Sequence, residues 1–134
     1  DPEGNLIEIG SWGKGKPPAF QLEVVTISVS DLEKSKQFYV DLLGFEEDAY
    51  YEPTKWLSFK DKGASFFAIQ EVSALQRLPS EDLIDFYVNN VEELWGRIKD
   101  KVTVINKLGK TPWGSYKFVI QDPDGYKLGF VNKA

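Results

Sequence analysis

Asp85 is the side chain of this sequence best placed for acid–base chemistry. It interrupts the apolar, strand-like run Leu83–Val88, and a partly buried carboxylate there could have a shifted pKa and act as an acid or base. The alternative is structural, because a lone charge in a strand can be solvated at a sheet edge or paired with a cation. Tyr87 and Tyr116 could hydrogen-bond a ligand, or serve as amphipathic wall residues.

The missing residue types exclude most other chemistry. The 134 residues include no cysteine and no histidine. Disulfides, thiolate metal sites, cysteine nucleophiles and histidine-based triads are therefore excluded, together with the commonest general base and metal ligand. Any catalysis would have to use carboxylates, lysines, tyrosines or backbone groups.

The composition is that of a globular chain with an acidic surface. Hydrophobic residues make up 42% of the sequence and aromatic residues 14%, enough for a hydrophobic core. The net charge of -5 argues against nonspecific binding to nucleic acids or anionic membranes, because phosphate contacts need clustered lysine and arginine. No apolar run reaches the roughly 18 residues that a membrane span needs. We therefore expect no nucleic-acid or membrane partner, and a cytoplasmic location by default.

An internal repeat supplies the elements that position these residues. Val24–Val29 alternates like a strand, Ser30–Glu33 resembles a capping box, and an amphipathic helix follows up to Gly44, which is placed to end it in a left-handed conformation. The same order returns in Leu83–Val88, the cap-like Asn89–Glu92 and a helix to about residue 100. The expected apolar stripes are Leu32, Phe38, Tyr39, Leu42 and Leu43 on the first helix, and Val91, Leu94, Trp95 and Ile98 on the second.

Three strand-like runs follow each helix, so each unit reads β-α-β-β-β. The expected strands are about Phe45–Tyr51, Lys55–Asp61 and Ala64–Glu71, and then Val102–Leu108, Ser115–Gln121 and Tyr126–Val131. Turns at Lys62-Gly63 and at Asp122–Gly125 separate the last two strands of each unit. The pattern predicts an α+β fold of two βαβββ modules, at residues 20–71 and 81–134, joined by a linker at 72–80.

Residues 1–19 lie outside this scheme. Asp1–Ile9 mirrors the final turn and strand, Asp122–Phe130, and Gly10–Pro18 has the composition of a linker. We expect an extra amino-terminal strand, or an arm that reaches a neighbouring sheet, as the remnant of a preceding module. The start at Asp1 without a methionine favours a processed or excised chain. A coincidental turn sequence is the alternative.

Several motifs together resemble the vicinal oxygen chelate superfamily, which includes glyoxalase I, extradiol dioxygenases and the bleomycin-resistance proteins. The matching residues are Val29–Ser35, Phe38-Tyr39, Leu42–Phe45 and Asp122–Tyr126. With the repeat, the resemblance covers about residues 20–133. It implies a mixed sheet that curls around a cavity, and a homodimer as the common assembly.

The enzymes of this superfamily typically hold a divalent metal on the first and last strands of each module. The resemblance places those positions at Val24, Leu83, Gly129, and either Phe67 or Ala68. None of these side chains can ligate a divalent cation. Glu8 matches the glutamate ligand by position, but one carboxylate does not make a metal site. We therefore expect no metal and no cofactor.

The resemblance also indicates which side chains face the cavity. With Val24, Leu83 and Gly129 inward, alternation turns their second neighbours inward as well. This makes Lys127 a possible partner of Asp85. The candidate ligand-binding residues are Thr26, Ser28, Trp56, Phe67, Asp85, Tyr87, Trp113, Tyr116 and Lys127, and Phe118 is a further aromatic candidate.

Three functions fit these expectations. The first is a metal-free protein that binds a small organic ligand, between its modules or across a dimer, by stacking and apolar burial. The second is an enzyme, either a lyase or isomerase that uses Asp85 or Tyr87, or a dioxygenase-like metalloenzyme whose site is completed by a missing tandem module. The third is a ligand-sensing regulatory module.

Overall fold

A computed structural model describes residues 18–73 and 82–133. The expected amino-terminal strand and most of the linker at 72–80 lie outside these residues. The first module comprises β1 (Val25–Val29), α1 (Leu32–Lys36), β2 (Glu46–Tyr51), β3 (Trp56–Asp61) and β4 (Ala64–Glu71). The second comprises β5 (Leu83–Val88), α2 (Val91–Ile98), β6 (Thr103–Lys110), β7 (Tyr116–Gln121) and β8 (Lys127–Asn132). The two predicted βαβββ modules are confirmed.

Each module forms one four-stranded mixed sheet with the same topology. The strand orders are β1-β4-β3-β2 and β5-β8-β7-β6, and the first strand of each sheet pairs parallel with the last. A parallel pair needs a long connection, which here contains the helix and two antiparallel strands. The first strand of each module therefore lies at a sheet edge.

The helices begin in the same way in both modules. Asp31 and Asn90 are the N-caps, and the side chain of each accepts a hydrogen bond from the backbone N–H three residues later. The backbone N–H of Leu32 also donates to Glu71, while that of Val91 donates to Asn132. In each module the last strand therefore satisfies an amide that the helix itself leaves free.

The helix of the first module is longer than that of the second. After α1 the chain continues as a π-helical segment, Gln37–Leu42, and Gly44 follows with a φ of 89°. This left-handed conformation favours glycine and ends the helix where the sequence predicts. α2 ends without such a segment.

The core lies between the helices and one face of each sheet, and an aromatic cluster joins the two modules. Phe86 lies 5.4 Å from Phe67 of the first module and 5.5 Å from Phe130 of the second, measured between ring centroids. Aromatic pairs at such distances add stability beyond area burial. The modules thus share one hydrophobic core. No helix within residues 18–73 or 82–133 is long and apolar enough to cross a membrane.

Candidate functional site

The face of each sheet that its helix does not cover carries most of the predicted ligand-binding residues. We call these the open faces. The first open face consists of Thr26, Ser28, Trp56, Ser58 and Ala68, and the second of Asp85, Tyr87, Lys117, Gly129 and Val131. Strand alternation places these residues opposite the buried ones, such as Ile27 and Leu128.

An ion pair lies at the centre of the second open face. Lys117 Nζ on β7 is 2.9 Å from Asp85 Oδ1 on β5, across the intervening strand β8. The lysine side chain is 12% exposed and that of the aspartate 49%. The carboxylate is thus the more solvent-exposed group, and the largely covered ammonium compensates its charge.

Gly129 makes room for this ion pair. It lies on β8 directly beside Asp85, and a Cβ there would overlap Asp85 Oδ1 and lie 2.8 Å from Lys117 Cε. The space above Gly129 is therefore filled by the ion pair. A side chain at this position would have to displace it.

The cation beside Asp85 comes from a different strand than expected. Lys127 on β8 was the expected partner, but the 2.9 Å ion pair is made by Lys117 on β7. Lys127 lies on the same sheet face, between Leu83 and Gln121 in the strand register. Gly129 pairs with Val119 on β7, and Lys117 lies two residues before Val119 on the same sheet face. Extending the strand alternation to β7 would therefore have identified Lys117. An aspartate paired in this way is better suited to anchoring a ligand than to transferring protons.

Exposed aromatic side chains flank the ion pair. Tyr87 is 74% exposed and Trp113 is 73% exposed. Trp113 lies on the β6–β7 turn, which is fixed by hydrogen bonds between Thr111 and Ser115. A cavity of about 270 Å³ lies among these groups, lined by Asp85, Phe86, Tyr87, Trp113, Ser115, Lys117 and Val131. Such a site offers stacking surfaces and one exposed carboxylate.

The first open face has a different character, because its residues, all of which the structure describes, are uncharged. Trp56 Nε1 donates a hydrogen bond to Thr26 Oγ1 at 3.2 Å, which holds the indole across the sheet. Ser58 is buried and exchanges hydrogen bonds with the backbone of Ala49. The accessible part of this face therefore consists of the Trp56 indole and the hydroxyl groups of Thr26 and Ser28.

Three of the predicted aromatic candidates face the core. Phe67 and Phe118 are fully buried, and Tyr116 packs partly against the core while it also lines a groove beside Tyr87. The register resolves the choice between Phe67 and Ala68, because Ala68 lies beside Thr26 as Gly129 lies beside Asp85. Phe67 is thus corrected from the cavity wall to the core.

The positions that the resemblance assigns to a metal do not fit one. Val24, Leu83, Ala68 and Gly129 offer no side-chain donor, and the Lys117 ammonium would repel a cation placed at Gly129. No cluster of three or more acidic residues with metal-binding geometry occurs in the described part of the chain.

A second polar cluster joins the modules and contains two side chains with raised pKa values. Tyr39 Oη donates to Asp122 Oδ2 at 2.7 Å in a buried environment. Burial, and then the negative charge of Asp122, raises the pKa of Tyr39 well above 10.0. Burial also raises the pKa of Asp122 from 3.8, against hydrogen bonds from Tyr39, Tyr126 and Asp124 that lower it. The cluster is thus a contact between the two modules.

The two repeated βαβββ modules define the fold class of the chain, and a comparison with known protein families gives the same class. The family described as the glyoxalase/bleomycin resistance protein/dioxygenase superfamily matches residues 21–130. The chain belongs to this superfamily, which confirms the resemblance inferred from the motifs. A search of curated protein sequences gives no match.

Solved structures with the same fold include a protein described as antibiotic-binding. An integron cassette protein from the mobile metagenome of a Halifax Harbour sewage outfall is 25% identical, with a TM-score of 0.70 over 84% of this chain and 98% of that one. A superfamily member from Sphaerobacter thermophilus is 25% identical, with a TM-score of 0.68 over 86% and 98%. The antibiotic-binding protein TnmS3 from Streptomyces sp. CB03234 is 26% identical, with a TM-score of 0.67 over 87% and 98%.

Proposed function

We propose that this protein binds a small aromatic or amphipathic organic molecule on its open faces, without a metal. The observation that carries the proposal is the Asp85–Lys117 ion pair above Gly129. The ion pair fills the space in which the resemblance would place a metal-ligand side chain, and the Asp85 carboxylate lies among exposed aromatic groups. The similarity to an antibiotic-binding protein supports the same class of function.

Stacking and apolar burial would supply most of the affinity. Tyr87 on the second open face and Trp113 on the turn beside it are mostly exposed, and Trp56 is held by Thr26 on the first open face. Burying aromatic surface contributes roughly 25 cal/mol per Å² removed from water. Asp85 would fix the orientation of a hydrogen-bond donor or a cationic group on the ligand.

The complete cleft would form between two chains of a homodimer. The cavities beside Asp85 and Tyr87, of about 270 and 580 Å³, include no residue of the first open face in their walls. A cleft lined by both open faces therefore needs the first open face of one chain to lie against the second open face of another chain. A symmetric homodimer provides this arrangement. The exposed Tyr87 and Trp113 would be covered in such an assembly.

A complementation experiment tests the ligand and the dimer together. The neutral fluorescent probe N-phenyl-1-naphthylamine is titrated into the wild type, Trp56→Ala and Trp113→Ala, and then into a refolded equal mixture of the two variants. Each single variant is expected to lose about tenfold in affinity, because each lacks one aromatic wall. In the mixture about a quarter of the clefts should regain wild-type affinity, since random pairing makes half of the dimers mixed.

Each outcome separates a different part of the proposal. Sedimentation analysis of the wild type must show a dimer for the mixture to be meaningful. If the mixture regains no binding while both variants are folded, the cleft lies within one chain. If the wild type binds no probe, or if neither tryptophan affects binding, the open faces are not the ligand site.

A further inference from the structure

The two modules meet at two equivalent junctions, where the last turn of one sheet approaches the start of the other module's helix. At the first junction, the β7–β8 turn of the second module contacts residues 28–39 of the first. Asp124 accepts hydrogen bonds from the backbone N–H and the hydroxyl of Ser30, and Tyr126 Oη donates to the carbonyl of Ser28 at 2.8 Å. With the Tyr39–Asp122 hydrogen bond, these contacts close the junction.

The second junction places different residues at the equivalent positions. Ile98 lies eight residues after its N-cap, as Tyr39 does, but has no hydroxyl group. Asp61, at the end of β3, corresponds to Asp122, but the β3–β4 connection consists of Lys62 and Gly63 only, whereas the β7–β8 connection comprises residues 122–126. Within the described ranges, no hydrogen bond joins this turn to Asn89 or Asn90.

A cavity of about 690 Å³ occupies the second junction. Its walls include Asp61 and Ser65 of the first module, and Asn89, Asn90 and Glu93 of the second. The first junction keeps only a shallower groove of about 510 Å³ along the surface of its turn. The missing contacts of the second junction thus coincide with the larger cavity.

The floor of this cavity is aromatic. The rings of Phe45, Phe66 and Phe86 lie at centroid distances of 5.3, 5.7 and 6.0 Å from one another. Phe130 and the aliphatic side chains of Leu43 and Leu94 extend the floor. Such a surface suits a flat aromatic molecule rather than a polar one.

Charged groups stand above this floor. Asp61 and Glu93 are exposed carboxylates, and Asp85 contributes an edge that the cavity shares with the second open face. The wall also contains Lys133 and Arg97, and one guanidinium nitrogen of Arg97 donates to the carbonyl of Leu43 at 3.4 Å. Arg97 and Lys133 offset the charges of Asp61 and Glu93, so the attraction for an organic cation comes mainly from the aromatic floor, with these two carboxylates as local partners.

We propose that the second junction is a second binding site, for a flat aromatic cation, which adjoins the second open face at Asp85 and Tyr87. The site goes beyond the open-face function, because Asn89, Asn90, Glu93 and Arg97 belong to neither open face. A ligand bound there would contact both modules and take the place of the side chains that close the first junction.

Titration with thioflavin T, a flat aromatic cation whose fluorescence rises when it is immobilised, tests this site. Glu93→Trp fills the cavity and removes a carboxylate, and is expected to lower the affinity at least about tenfold. Glu92→Trp is the matched control, because Glu92 is the preceding exposed residue of α2 and does not line the cavity. It should change the affinity less than about twofold.

Two further variants keep the outcome decisive. Asp61→Asn retains the shape of the site and should lower thioflavin T affinity about threefold even if Glu93→Trp does not fold. Trp113→Ala, beside the second open face, should remove only the thioflavin T that binds at that face, and should leave the binding that Glu93→Trp weakens. The proposal is overturned if the wild type does not bind the dye, if Glu92→Trp and Glu93→Trp act alike, or if Trp113→Ala abolishes binding. If Glu93→Trp lowered the affinity for the anionic probe anilinonaphthalene sulfonate as much as that for thioflavin T, the preference for cations would be overturned.

Discussion

The two junctions between the modules occupy equivalent positions but have different chemistry. The first is closed by a buried tyrosine–aspartate hydrogen bond and by two further side-chain contacts. The second has neither, and holds a cavity of about 690 Å³ above a floor of phenylalanine rings. A repeated fold can therefore use one copy of a contact for cohesion and leave the other copy available for a ligand.

The largest expected effect comes from removing the acceptor at the closed junction. In Asp122→Ala, the Tyr39 hydroxyl and the backbone N–H groups of Asp124 and Tyr126 lose their partner. We expect a loss of about 3 kcal/mol in the free energy of unfolding, measured with urea. Asp61→Ala, at the equivalent exposed position, should cost less than about 0.5 kcal/mol. Equal losses in both variants would show that the junctions do not differ in cohesion.

Removing the tyrosine hydroxyl should have an intermediate effect. Tyr39→Phe keeps the packing of the ring but leaves the buried Asp122 without one hydrogen bond. We expect a loss of about 1–2 kcal/mol in the free energy of unfolding. A double-mutant cycle with Asp122→Ala, which removes the acceptor, should give a coupling energy of about 1 kcal/mol. Additive effects in the cycle would contradict a direct interaction between the two side chains.

A smaller effect is expected where the open faces differ. Gly129→Ala gives the second face the residue type that the first has at Ala68, and the new methyl group would displace the Asp85–Lys117 ion pair. We expect a loss of about 1 kcal/mol, because the displaced atoms belong to side chains that can move. The Lys117 ammonium resonance should shift in NMR spectra. The reverse change, Ala68→Gly, should leave that resonance in place.

The pH dependence of stability should show the smallest effect, with its origin at Asp122. Burial raises the pKa of this carboxyl in the folded state, so the folded protein holds the proton more tightly than the unfolded chain. The stability that the Asp122 carboxyl contributes is fully present below a pH of about 3.8, and it is lost as the pH rises through the pKa of the folded state. As the pH rises, the unfolding midpoint of the wild type should therefore fall relative to that of Asp122→Asn. A constant difference between the two proteins would rule out this assignment.

Much of the fold could be predicted from the sequence because its signals are local. Strand alternation, capping segments and the terminal Gly44 each act within a few residues. The N-caps Asp31 and Asn90 lie within the predicted segments Ser30–Glu33 and Asn89–Glu92, and Gly44 ends its helix as expected. The absence of histidine and cysteine also limits the possible chemistry, because it follows from composition and does not depend on how the chain folds.

The tertiary structure alone decided which distant side chains meet. Tyr39 and Asp122 are 83 residues apart, and Tyr126 and Ser28 are 98 apart, so no local pattern links them. The partner of Asp85 depends on the register of three strands, which placed Lys117 beside it. Local periodicity fixes which face a residue occupies, but contacts between faces arise only when the sheets and modules pack.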